Sequence, residues 1–311
     1  MPSGIENAFL VATTGGFLIG TLGNGFIVLV NCLDLVKRQK LSSADCILTG
    51  LAISRISQLW AILCDSFLLV LWPHLYAIDK LTKVVSIFWT LSNHLATWFA
   101  TCLSVFYFFK VANFSHRCFT WLLRRIRSVV LVLLLGSLSL LFLNSEAIYT
   151  FNHISTNSYK IYARNSTWSS DVSETHYLHH LIAFNFINLI PFLLSLTSLL
   201  LLSLSLMRHI RNLQLNPSSK DLSTEAHKRA MKMVMSFLFL FIIHVSSILL
   251  TGWVFLKLQG CLAKLVVLTS TVFPSSHSFI LILGNSKLRQ NAVGLLWYLN
   301  CHPKRVKSLA S

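Results

Sequence analysis

Two ionisable residues stand inside an otherwise apolar stretch of this chain, Arg55 and Asp65 of LAISRISQLWAILCDSF. Ten residues of helix separate them by about 15 Å, too far for a direct pair. A charge within a membrane-length apolar segment marks a functional site by default. Arg55 suits a structural and switching role, holding polar or backbone groups of the first and seventh apolar segments, with Asn24 as its expected partner. Asp65 suits either a place facing a cavity or a buried, protonated hydrogen-bonding role. A second group lies in LTKVVSIFWTLSNHLATWFATCLSVFYFFK, residues 81–110. There Trp89, Asn93, Ala96 and Ala100 share one helical face at spacings of three and four. His94, Thr97, Thr101 and Ser104 add further polar groups that lipid does not solvate, so this segment belongs against other helices or a water-filled cavity.

Catalytic and metal chemistry find no foothold. No HExxH, GxSxG, P-loop or glycine-rich strand-to-helix turn occurs. The twelve histidines are scattered, and His179 with His180 sits at a helix end where solvation is the plain reading. The seven cysteines have no metal-like spacing. No cofactor is expected, and the chain does not read as an enzyme.

The elements that must position these residues follow from composition. Of 311 residues 54% are hydrophobic and only 12% charged, against about a quarter charged in soluble domains. Seven spans account for the excess: roughly Ala8 to Leu33, Ala44 to Trp72, Leu81 to Lys110, Ser128 to Ile148, Leu178 to Met207, Ala230 to Phe255 and Lys264 to Leu283. Pro191 and Pro274 fall inside spans, where kinks are expected. Met1 to Ala8 has no basic n-region and the first apolar run continues for a full span, so no cleaved leader is expected.

The net charge of +16 would suggest a nucleic-acid partner in a soluble chain; here the charge is sorted across a membrane instead. Of the 26 Lys and Arg, nineteen fall in Asp34 to Ser43, Lys110 to Arg127, Met207 to Lys232 and Gly284 to Ser311. Six fall in the remaining connections. The positive-inside rule then places the amino terminus outside and the carboxyl terminus in the cytoplasm. With that orientation only Cys261 occupies an outer loop, so no extracellular disulfide forms within the chain. The fold class is therefore an all-α membrane protein, a seven-transmembrane helix bundle over 1–283. A cytoplasmic amphipathic helix, Lys287 to Leu299, and a basic tail with Lys304, Arg305 and Lys307 follow over 284–311. Cys301 could carry palmitate there or remain a free thiol.

Several motifs in fixed order resemble the bitter taste receptors, the type 2 branch of the G-protein-coupled receptors, over essentially the whole length. They are Leu22-Gly23-Asn24-Gly25-Phe26-Ile27, Leu51-Ala52-Ile53-Ser54-Arg55, Phe106-Tyr107-Phe108-Phe109-Lys110-Val111-Ala112, Pro191 to Leu196, Ser205 to His209, Ser223 to His227, Pro274 to Ile282 and Asn285 to Gln290. One departure is His116-Arg117, where relatives often read His-Pro, which removes a rigid turn beside the G-protein face. The resemblance implies a pocket for small bitter agonists in the outer half of the bundle. Trp89 and Asn93 match agonist-contacting positions, an indole giving an apolar face and an amide a donor and an acceptor. His94 and Asp65 join the same outer half, His244 matches another pocket position, and Val267 replaces a residue polar in several relatives. At the inner end Tyr107, Lys110, His209, His227 and Lys228 are candidates for the switch and the G-protein contact, with Asn24 and Arg55 behind them. The implied partners are bitter compounds, a gustducin-type heterotrimeric G protein and membrane lipid at the plasma membrane. A pheromone-type receptor would share the topology without the Pro274 to Gln290 motif. A small transporter or channel would show flux without a G protein.

Two sequons test the orientation, Asn165-Ser166-Thr167 in an outer loop and Asn113-Phe114-Ser115 in an inner one. Glycosidase treatment is expected to shift the chain made in cells and leave Asn165→Gln unshifted. An unchanged shift in Asn165→Gln, or its loss in Asn113→Gln, would reverse the orientation.

Overall fold

The computed structural model describes residues 3–76, 79–111, 121–122, 125–143, 171–215, 231–247 and 261–309. Over these residues the chain is helical: α1 (Gly4–Val36), α2 (Ser43–Leu71), a single turn α3 (Pro73–Tyr76), α4 (Asp79–Val111), α5 (Ile126–Leu143), α6 (Asp171–Leu215), α7 (Met231–Ser247), α8 (Cys261–Gly284) and α9 (Ser286–Leu309). The first two helices start on capping boxes. Ser3 accepts from the Glu6 N–H while Glu6 accepts from the Ser3 N–H, and Ser42 and Asp45 repeat the arrangement. Between them α1 is unwound by Arg38, whose φ of 55° turns the chain back toward α2.

Gly4–Val36, Ser43–Leu71, Asn188–Arg208 and Lys264–Gly284 are long and apolar enough to cross a membrane. Ile126–Phe142 and Met231–Ser247 are apolar but shorter. Helix α4 has the length, 33 residues, but its polar side chains interrupt the apolar run. The helices present apolar residues outward as well as inward: Val11, Leu22, Phe142, Phe239 and Leu283 are all more than half exposed. A helix apolar all round belongs in lipid.

The span boundaries expected from sequence fall within a few residues of these helices wherever they are described. Three differences stand out. Helix α6 begins at Asp171, well before Leu178, and runs on to Leu215. Cys261 opens α8 instead of lying in a loop. The expected basic tail is helical, since α9 continues to Leu309. The expected ends of the fourth and sixth spans, Ile148 and Phe255, lie outside the described residues.

Helix α2 packs against α1, α4 and α8, and α4 in turn against α5 and α6. The core these contacts close includes Ile27, Leu48, Leu51, Ala100, Cys102 and Phe241. Close approach of α1 to α8 rests on the absence of side chains. A Cβ on Gly20 would sit 2.7 Å from Ser275 Oγ and 3.2 Å from Ser275 Cα, and one on Gly23 would overlap Ser278. Ser275 uses the proximity to donate to the Gly16 carbonyl at 2.9 Å.

Ion pairs fasten both ends of this seam. Lys264 of α8 meets Glu6 of α1 at 3.3 Å. At the other end Lys287, in the first turn of α9, reaches Asp34 at 2.5 Å and Asp45 at 3.3 Å, and donates to Asn31 Oδ1 at 2.9 Å. Partial burial works to lower the Lys287 pKa, but the hydrogen bonds and charges of Asp34 and Asp45 outweigh it and raise the value.

Gly20→Val is expected to push α1 off α8 and cost about 1–3 kcal/mol by overpacking, read as a lower thermal transition of purified protein in detergent. The matched change Gly25→Val, at a position with nothing within 4 Å, should leave the transition near that of the parent. Equal losses at both positions would mean that the seam is not tight.

Candidate functional site

At the centre of the bundle an arginine is almost completely enclosed. Arg55 on α2 is 1% exposed, and its Nη2 lies 2.6 Å from His277 Nδ1 on α8. A guanidinium only donates, so Nδ1 accepts and the ring proton sits on Nε2. The guanidinium carbon also stands 4.8 Å from the centre of the Phe273 ring, one turn earlier on α8. Arg55 Nε and Nη1 have no hydrogen-bond partner among the described residues.

Asn24 does not serve as that partner. Its amide donates to the Gly20 carbonyl at 2.8 Å and to the Pro274 carbonyl at 2.9 Å, while Oδ1 stays unpaired among the described residues. Asn24 therefore joins α1 to α8, and Arg55 joins α2 to α8, in parallel and not through one another. The same device recurs at the other intrahelical proline. The Thr101 hydroxyl on α4 shares its proton between the Thr97 carbonyl at 2.9 Å and the Pro191 carbonyl at 3.2 Å, and accepts from Ser195 Oγ at 2.9 Å. In both cases the neighbouring helix binds the carbonyl of the proline itself, which no spacing rule anticipates.

From Arg55 a column of rings extends along α7 and α8. His244 stacks on Phe273 at 4.6 Å between centroids and 19° between planes. Phe273 stacks on His277 at 5.3 Å and 11°, and His277 meets Phe237 at 4.4 Å. Such pairs contribute about 0.5–1.5 kcal/mol each beyond area burial. His244 is buried, and its Nδ1 lacks a hydrogen-bond partner among the described residues.

The other sequence-derived positions distribute around this column. Asn93 is buried and accepts from Gln58 Nε2 at 3.0 Å, binding α4 to α2. Trp89, one turn away on the same face, is half-buried. His94 points elsewhere, toward the Ser137 backbone of α5 and the Trp98 ring. Asp65 and Val267 are half-buried. Lys110 is exposed, its ammonium 5.7 Å from the Phe106 ring centre. His209 belongs to α6, but its side chain lies outside the description, as do all of Asn113, Asn165 and His227.

A cavity of about 270 Å³ opens between α4, α6, α7 and α8, at the end of the bundle from which α9 departs. Leu103, Tyr107, Leu206, Met233, Phe237 and His277 are among its walls. Of the residues singled out individually from sequence, Ser104 and Tyr107 line it. His277 and Phe273 escaped notice as site residues. The signal was present: His277 is an ionisable residue at membrane depth, one turn beyond Phe273, within the quoted Pro274 to Ile282 motif.

Long apolar helices enclosing a polar, aromatic centre define a multi-pass helical membrane protein built around buried side-chain contacts. Among the described residues no group of His, Cys, Asp or Glu could hold a metal ion. The family model for taste receptor protein, TAS2R, matches residues 1–300. Taste receptor type 2 member 42 of Pan troglodytes is 52% identical over 309 residues, covering 98% of each chain. Its Homo sapiens counterpart is 51% identical over 313 residues, again covering 98% of each. Taste receptor type 2 member 7 of Papio hamadryas is 46% identical over 301 residues, covering 96% of this chain and 95% of its own. The chain belongs to the TAS2R taste receptor family, whose members are receptors and not enzymes.

His277→Leu is expected to strand the Arg55 guanidinium and cost about 1.5–3 kcal/mol, seen as a lower thermal transition. The double variant Arg55→Met/His277→Leu, which removes both partners, should recover most of that loss. Additive losses would show that the two side chains are not coupled.

Proposed function

We propose that this chain is a bitter taste receptor of the G-protein-coupled type at the plasma membrane. Seven spans cross the bilayer, with the amino terminus outside and the carboxyl terminus inside. Small, largely apolar bitter compounds enter the outer half of the bundle beside Trp89, Asn93 and His244, with Asp65 and Val267 in the surrounding wall. The inner face, with Tyr107, Lys110, His209 and His227, engages a heterotrimeric G protein of the gustducin type. Helix α9 lies along the inner leaflet, where the exposed Val293, Leu296 and Trp297 meet lipid.

The observation that carries this reading is the ring column. His244, at the proposed ligand site, stacks on Phe273, which stacks on His277, and His277 with Phe237 forms part of the wall of the inner cavity. A compound that displaces the His244 ring thereby alters the packing of α7 against α8 at the inner end. Free energy for the shift comes only from the agonist's differential affinity for the two arrangements. Asn93, already bonded to Gln58, turns one amide face to α2 and leaves its NH₂ for the ligand.

Calcium release in cells expressing the chain with a gustducin-tailed G protein, challenged with a diverse bitter panel, tests this. Trp89→Ala and His244→Ala are expected to raise the half-maximal concentration at least tenfold, about 1.4 kcal/mol, at equal surface expression. Responses unchanged in both variants would remove the outer site.

A further inference from the structure

The end of the bundle from which α9 departs carries positive charge that the described side chains do not neutralise. Lys37, Arg38 and Lys40 in the α1–α2 connection, and Arg125 and Arg127 at the start of α5, are all exposed. None of the five makes an ion pair among the described residues, where the acids of this end, Asp34 and Asp45, are both taken by Lys287. The two groups of cations form one patch. Arg127 Nε donates to Ser43 Oγ at 3.0 Å, and Ser43 follows Lys40 by three residues, at most about 10 Å of chain. Arg125 is placed by its neighbour, the guanidinium carbon standing 5.4 Å from the Trp121 ring centre. The arrangement is unfavourable by itself. A helix N-terminus is the positive end of the helix dipole; α1 and α2 put Glu6 and Asp45 there, whereas the first turn of α5 holds Arg127 and no acid. An anion at this place relieves a repulsion that none of the described side chains relieves. Further along the same helices the outward faces turn apolar, with Ile53 of α2 and Leu131 and Leu135 of α5 each more than half exposed. Such a surface serves no soluble polyanion, but it suits a lipid, headgroup on the cations and chains along the helices.

We propose that this patch binds an anionic inner-leaflet lipid whose headgroup carries several phosphates. Arg125 and Arg127 take one side of the headgroup, and Lys37, Arg38 and Lys40 take the other. A cluster of about four to eight cations beside a membrane span is the size that gathers such lipids. Guanidinium groups pair phosphate oxygens two at a time, while the lysines act as point charges. More than one phosphate is needed to engage both sides at once, which separates this class from lipids with a single negative group. A headgroup so held adds a second link between the α1–α2 connection and α5, beside the Arg127–Ser43 bond. The inner-leaflet assignment rests on the orientation given above; the headgroup site does not.

Fluorescence anisotropy of a labelled dioctanoyl phosphatidylinositol bisphosphate, titrated with the purified full chain in detergent, tests the site. Binding is expected to saturate, and the unlabelled lipid should compete about tenfold or more better than phosphatidylserine or soluble inositol trisphosphate. Equal competition by phosphatidylserine overturns the need for several phosphates, and equal competition by inositol trisphosphate overturns the lipid as occupant. Arg125→Gln/Arg127→Gln and, separately, Lys37→Gln/Lys40→Gln should each weaken binding about tenfold or more. Using two variants on separate elements keeps the result independent of whether either one folds. Arg208→Gln/Arg211→Gln removes as much charge from the exposed inner end of α6 and should leave the affinity near that of the parent. Equal losses in all three variants overturn the site in favour of diffuse attraction. Binding in detergent does not depend on which way the chain crosses the membrane. Selective binding by a chain glycosylated at Asn113 would therefore keep the headgroup site and remove the inner-leaflet assignment. Glycan on Asn165 without saturable binding would keep the orientation and overturn the site.

Discussion

Everything at the middle of this bundle depends on how one guanidinium is held away from water. Desolvating an arginine costs several kcal/mol even after relaxation, and Arg55 is met by a single imidazole nitrogen and the face of one phenyl ring. Both partners come from α8, one turn apart, so the position and rotation of α8 are fixed by the need to serve the arginine. Asn24 then secures α8 from the other side through the Pro274 carbonyl. Two helices thus grip a third at the point where proline removes one of its own donors.

Around that point the structure alternates between tight and loose contact. The α1–α8 seam is closed by glycines and serines, and the α2–α4 interface by Asn93, Gln58 and small alanines such as Ala96 and Ala100. The contacts of α7 are of another kind: a tilted ring pair with α6, tilted and stacked ring pairs with α8, and the flexible Met233 thioether over Gly284. Close backbone packing has few alternative arrangements, whereas rings and a methionine can repack at small cost. Motion between α7 and its neighbours is therefore easier than motion between α1 and α8, which is where the proposed receptor mechanism needs it.

Much of the fold was legible because apolar length is the strongest signal a sequence carries. The helices described here lie where the apolar runs lie, and the polar face of α4, with Asn93, Ala96 and Ala100 buried together, follows the spacing of three and four. Partnerships were less legible. Spacing along α1 and α2 says that Asn24 and Arg55 both turn inward, but not which group on α8 each meets. The chain holds twelve histidines, and only the fold shows that His277 lies against the arginine. The Lys287 cluster was hidden for the same reason, since Asp34 and Asp45 read as ordinary helix-end charges. The cavity was not legible at all, because its shape is the sum of side-chain sizes on four helices distant in sequence.

Asp45 has a consequence that comes from its double employment. One carboxylate oxygen accepts from the Ser42 N–H and hydroxyl, starting α2, and also lies 3.3 Å from the Lys287 ammonium in the first turn of α9. A helix end that frays gives up its cap, and here the cap is shared. Unwinding the first turn of α2 loosens the anchor of α9, and lifting α9 removes a charge that steadies the cap. The two segments, more than two hundred residues apart in the chain, are thereby tied into one unit of local opening, and amide exchange in their first turns is expected to rise and fall together.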